Sequence, residues 1–69
     1  MYKPGDMFSF FSSVENAFNI FILVSRIDNN SMVWQILRFT KNGPAVYGQC
    51  GELWLARGAE PAYKLRKLN

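Results

Sequence analysis

The sequence predicts a small, mainly β domain: five short strands in a strongly bent antiparallel sheet or small barrel, with one short helical turn. Three observations predict it. Residues 18–39 form two runs rich in Phe, Ile, Val and Leu on either side of Asp28-Asn29-Asn30-Ser31, and such residues favour strands. Turn-forming clusters recur at 3–6, 28–31, 41–44 and 57–61, closer together than long helices allow. Two glycines, Gly48 and Gly51, interrupt an otherwise strand-like segment, where glycine marks a bulge or a bend.

Taken in order, Lys3-Pro4-Gly5-Asp6 is a turn, with Pro fixing one dihedral and Gly freeing the next. Met7–Phe11 follows as a short strand. Ser12 and Glu15 then stand at capping-box spacing. Two continuations stay open. One is a single helical turn over 13–17 followed by a strand. The other is an α+β arrangement, a helix at about 13–26 packed on a three- to four-stranded antiparallel sheet, because Val14, Ala17, Phe18, Phe21 and Ser25 fall near helical spacing. Asn29 and Asn30 suit the centre of a tight hairpin, which makes 32–39 the return strand. Lys41-Asn42-Gly43-Pro44 is a second turn, Val46–Ala56 a strand broken by its glycines, Arg57–Pro61 a loop, and Tyr63–Leu68 a closing strand. The chain is one domain over residues 1–69, without repeat or linker.

Lys3-Pro4-Gly5-Asp6 before an apolar strand and Tyr63-Lys64-Leu65-Arg66-Lys67-Leu68 after a Pro-containing loop resemble the two ends of SH3-like small β-barrels. The resemblance covers the chain ends alone. It implies a five-stranded barrel used for binding.

The central hairpin poses a physical problem. With Asn29 and Asn30 at the turn, Phe21, Leu23, Ile27, Met32, Trp34, Ile36 and Arg38 share one face; Ile20, Ile22, Val24, Leu37 and Phe39 share the other. Both faces are apolar, so both need cover. The expectation is that the second set builds the core. The first then needs cover from the rest of the chain, a second copy or another protein. Phe21, Met32, Trp34, Ile36 and Arg38 are accordingly the candidate protein-binding residues, with Trp34 as anchor and Arg38 pairing an acidic group.

Composition narrows the chemistry. The 69 residues are 49% hydrophobic and 19% charged, a balance that packs rather than stays disordered. There is no histidine and a single cysteine, Cys50. That removes His-based acid–base and nucleophile pairs and a Cys/His zinc site within one chain. The five carboxylates, Asp6, Glu15, Asp28, Glu52 and Glu60, are scattered. Gly48-Gln49-Cys50-Gly51 has only two glycines and no following Lys-Ser/Thr, unlike a phosphate-binding loop. The expectation is therefore a non-enzyme without cofactor or metal. One cysteine, no signal-peptide pattern and no apolar run near ~18 residues point to a reducing, cytoplasmic setting and no membrane partner.

The net charge of +3 and a pI near 9.4 are compatible with nucleic acid. Lys41, Arg57, Lys64, Arg66 and Lys67 with Tyr47, Trp54 and Tyr63 are the candidate residues for that alternative, a single strand stacked on aromatics beside cations. The leading expectation is a non-catalytic module that binds a protein partner or a second copy of itself. In size, basic charge and lack of catalytic groups the chain resembles phage or mobile-element accessory proteins that act by binding a host protein.

Overall fold

The structure, a computed structural model, describes residues 2–27, 32–40, 43–57 and 63–69. Five strands make one antiparallel sheet: β1 (Met7–Ser12), β2 (Ala17–Arg26), β3 (Val33–Phe39), β4 (Val46–Gly51) and β5 (Arg66–Lys67). A short helix, α1 (Glu52–Ala56), follows β4 directly. The spatial order is β4-β3-β2-β1-β5, so β4 and β5 form two edges. The five-stranded, mainly β expectation holds in its open-sheet form, not as a closed barrel. The turn at 28–31, Lys41-Asn42 of the second turn and residues 58–62 of the last loop lie outside the described residues.

Local chemistry explains most boundaries. Gly5 takes the left-handed φ of +95°, a conformation that costs glycine little. The turn it allows brings the Gly5 amide to the Leu23 carbonyl (2.8 Å) and the Asp6 carbonyl to the Leu23 amide (2.9 Å), prolonging the β1–β2 ladder. The Asp6 carboxylate, itself buried, accepts from the Lys3 amide at 3.1 Å and lies 3.7 Å from the Lys67 ammonium.

At 12–16 the capping geometry forms, with the Glu15 amide donating to Ser12 Oγ at 3.4 Å. It opens no helix. Asn16 adopts a φ of +51° and turns the chain straight into β2, so residues 17–26 are strand and the helical alternative over 13–26 is overturned. The β-branched and aromatic run 18–24 wins over a cap signal that concerns only one turn.

The second difference lies at the far end. Val46–Ala56 is not one strand: pairing ends at Gly51, which caps α1 in an extended conformation. Glu52-Leu53-Trp54-Leu55-Ala56 is made of good helix formers or residues tolerated there, with an acid in the first turn. The Glu52 amide is bonded to the Met32 carbonyl (2.8 Å) and the Arg57 amide closes the helix on the Leu53 carbonyl (2.9 Å).

The hairpin register agrees with the sequence reading for four pairs, Ile20 with Phe39, Phe21 with Arg38, Ile22 with Leu37 and Leu23 with Ile36. A bulge then intervenes at Val24, and Ser25 pairs Gln35 while Arg26 pairs Trp34. The extra residue moves Arg26 to the face of Trp34, where an unbroken ladder would put it on the opposite face from Trp34.

The core reverses the expected assignment of faces. Phe8, Phe21, Leu23, Trp34, Ile36, Cys50 and Leu55 form the buried cluster, with Tyr2, Phe10, Trp54 and Leu65 packed against it. Phe21 and Trp34 are each 1% exposed. Ile20, Val24 and Phe39, expected inside, are exposed, and Ile22 and Leu37 are half-buried. The physical reason is α1. It carries Leu55 and Trp54 over the Phe21–Trp34 face, and reading 52–56 as strand removed that cover from consideration. An aromatic chain runs through this layer, Tyr2–Phe8 (6.0 Å between centroids), Phe8–Phe21 (5.3 Å), Phe21–Trp54 (6.2 Å) and Trp54–Tyr63 (5.5 Å). Each such pair adds roughly 0.5–1.5 kcal/mol beyond area burial.

Candidate functional site

The strand registers assign every sheet residue to the covered inner face or to an outer face. Antiparallel partners point the same way, so rows can be followed across the sheet. One outer row runs Tyr47–Leu37–Ile22–Met7, and the next runs Phe39–Ile20–Ser9–Arg66. Phe18 and Phe11 make a third, their rings edge-to-face at 5.4 Å. Tyr47 is 68% exposed, Phe18 56% and Phe39 43%. This is a broad apolar surface, and no described element lies over it.

The charge on this face is one-sided. Arg66 closes its middle row at the β5 edge. Lys64 sits nearby with its ammonium 5.6 Å from the Phe11 ring centroid, within cation–π range. Ser9, Phe18, Ile20, Lys64, Arg66 and Leu68 line a shallow hollow of about 520 Å³. Among the described residues, none of the paired positions on this face carries a carboxylate.

The candidates drawn from sequence therefore separate. Phe21, Trp34 and Ile36 lie in the core, covered by the chain itself, and are corrected from docking residues to packing residues. Met32 is exposed beside the hairpin end, and Arg38 is half-buried on the inner face opposite Phe21. Of the nucleic-acid set, Tyr47, Lys64 and Arg66 belong to the outer face. Trp54 and Tyr63 meet edge-to-face, and Trp54 packs on the inner side against Phe10 and Phe21. Lys67 is directed to Asp6, Arg57 is exposed after α1, and Lys41 lies outside the described residues. Phe11 and Phe18 are outer-face residues that sequence reasoning missed. The available signal was their alternation with Phe8, Phe10, Asn19 and Phe21.

On the inner face, Trp34 is fixed by two polar partners. Its indole N–H donates to Glu52 Oε1 at 3.1 Å, the same oxygen accepts from Arg26 Nη1 at 2.9 Å, and the Arg26 guanidinium lies 4.3 Å over the indole ring. The Trp34 hydrogen bond, then that of Arg26, holds the Glu52 carboxyl below its ordinary value. Burial pushes the Cys50 thiol up to about 11, so it is overwhelmingly protonated and a poor nucleophile near neutrality. No group of three or more His, Cys, Asp or Glu gathers among the described residues, and no described helix is long and apolar enough to cross a membrane.

Comparisons with protein families, curated proteins and solved structures found no match for this chain.

Proposed function

We propose that this chain is a non-catalytic binding module that docks a protein through the outer face of its sheet. The observation that carries the reading is the apolar surface of Phe18, Ile20, Val24, Phe39 and Tyr47, left uncovered by the described residues and bordered by Arg66 and Lys64. A monomer rarely leaves so contiguous an apolar patch to water. The complementary partner surface is apolar at its centre and acidic where it meets the β5 edge. The protonated, buried Cys50 and the absence of histidine fit a role without bond-making chemistry.

The test begins with a photo-crosslinking residue at position 39 in cells of the native source, with position 57 as the inner-side control. The adduct is identified by mass and its affinity for the purified chain measured. Ile20→Glu is expected to abolish binding, and Arg66→Glu to weaken it about tenfold with loss of its salt dependence. Binding unaffected by both substitutions removes this face as the site. A dimer in sedimentation velocity that Ile20→Glu dissolves identifies the partner as a second copy.

A second reading is favoured by one feature: three of the exposed outer-face side chains are aromatic and two cations stand beside them, an arrangement on which single-stranded nucleic acid stacks. It requires affinity for an oligothymidine that falls steeply with added salt. A flat salt titration eliminates it.

A further inference from the structure

The inner face holds a second recess, beside α1 and away from the outer surface. It is an open groove of about 390 Å³, walled by Phe10, Phe21, Ile36, Cys50 and Trp54, with Arg38 as its one charged lining residue. The volume is in the range of small-molecule sites. Arg38 Nε is buried and has no hydrogen-bond partner among the described residues. Arg38 stands between Phe21 and Val46 in its row, and no carboxylate is among the described residues lining the groove. A buried donor left unpaired is destabilising and calls for an acceptor. A guanidinium presents parallel N–H groups that match the two oxygens of a carboxylate.

We propose that this groove binds a small apolar carboxylate. The aryl or alkyl body of the ligand lies against Phe10, Phe21, Ile36 and Trp54, and its carboxylate meets the guanidinium of Arg38 where it lines the groove. The single cation selects a monoanion over a phosphate, which needs more positive charge than one arginine supplies. This site is independent of the docking face and stands or falls separately from it.

Nitrogen-edited NMR of the full chain tests the proposal through two side-chain resonances, the Arg38 Nε–H and the Trp54 indole N–H. The probes are hydrocinnamate and hydrocinnamyl alcohol, which share a phenyl-propyl skeleton and differ in the charged end. Hydrocinnamate is expected to shift both resonances and to bind about tenfold more tightly than the alcohol, the usual scale of a charge-assisted hydrogen bond. Arg38→Gln is expected to erase that difference while the Trp54 response to both probes persists. Equal affinity of acid and alcohol for the unmodified chain overturns the proposal, as do shifts confined to Lys64, Arg66 and their outer-face neighbours. Because the acid-to-alcohol ratio is read on the unmodified chain, it decides the matter even where Arg38→Gln fails to fold.

Discussion

Replacing Trp34 discriminates between the two assignments of the hairpin faces. The side chain is 1% exposed, lies in the core cluster, donates to Glu52 at 3.1 Å and carries the Arg26 guanidinium 4.3 Å above its ring. Trp34→Ala removes all of these contacts, and truncation of a buried Trp costs about 3–5 kcal/mol. A chain of 69 residues has a total stability of about 3–10 kcal/mol, so the variant loses much or all of its folded population. Trp34→Phe is milder. It keeps an aromatic body but deletes the N–H donor, leaving Glu52 with Arg26 alone, for a loss of about 1–2 kcal/mol. With a urea m-value near 1 kcal/mol/M for so small a domain, the midpoint moves down by about 1–2 M. Circular dichroism follows the sheet, and the fluorescence of Trp54 reports the helix–sheet junction in the same titration. A Trp34→Ala protein that unfolds within about 0.5 kcal/mol of the parent, as a surface substitution would, refutes the placement of this face inside.

Other expectations follow from the same geometry. Phe39→Ser, on the outer face, is expected to change stability by less than about 1 kcal/mol and to reduce binding of an apolar dye. Glu52, whose carboxyl the fold holds below its ordinary 4.5, stabilises the protein above that value. The stability is lost as pH falls through the lower folded value, so an acid titration monitored by circular dichroism is expected to flatten in Glu52→Gln. Cys50, raised from 9.0 to about 11, has the opposite sign: its contribution is full below 9.0 and disappears as pH rises toward 11. Near pH 8 its thiolate fraction is about a hundredfold lower than that of an unfolded thiol, and its reaction with Ellman's reagent slows in proportion. Asn69→Ala removes the acceptor of the Met7 amide (3.0 Å) and the donor to the Gly5 carbonyl (3.1 Å). Faster hydrogen exchange at the Met7 and Leu68 amides is expected, with a loss of about 1 kcal/mol.

Much of the sheet was legible because strand signals are local. The β-rich composition of 18–24, the turn chemistry of Pro4-Gly5 and the alternation across β2 and β3 fix strands and four pairs of the hairpin register without tertiary information. The bulge at Val24 was not legible. Nothing in Leu23-Val24-Ser25 marks it, and its stabilisation comes from Arg26 reaching Trp34 and Glu52, residues 8 and 26 positions away in sequence. Which face is inside depended in turn on α1. Alternation shows that two faces are apolar, but only the location of Leu55 and Trp54 shows which one the chain covers. The candidate site inverted for that reason. Phe21, Trp34 and Ile36 moved to the core, while Ile20, Val24 and Phe39 became surface.

Asn69 clasps Gly5 and Met7, and Leu68 is bonded to the Met7 carbonyl at 2.8 Å, so the N-terminal end of β1 and the C-terminal end of β5 lie side by side. A tension applied to those ends acts across the β1–β5 seam and loads its few bonds one after another, as in opening a zip, rather than shearing them together. The seam then yields at low force while the three remaining strand pairs stay intact. Held at those two strand ends, the sheet would behave as a soft tether with a firm centre, and single-molecule pulling would record an early small extension well before the sheet gives way.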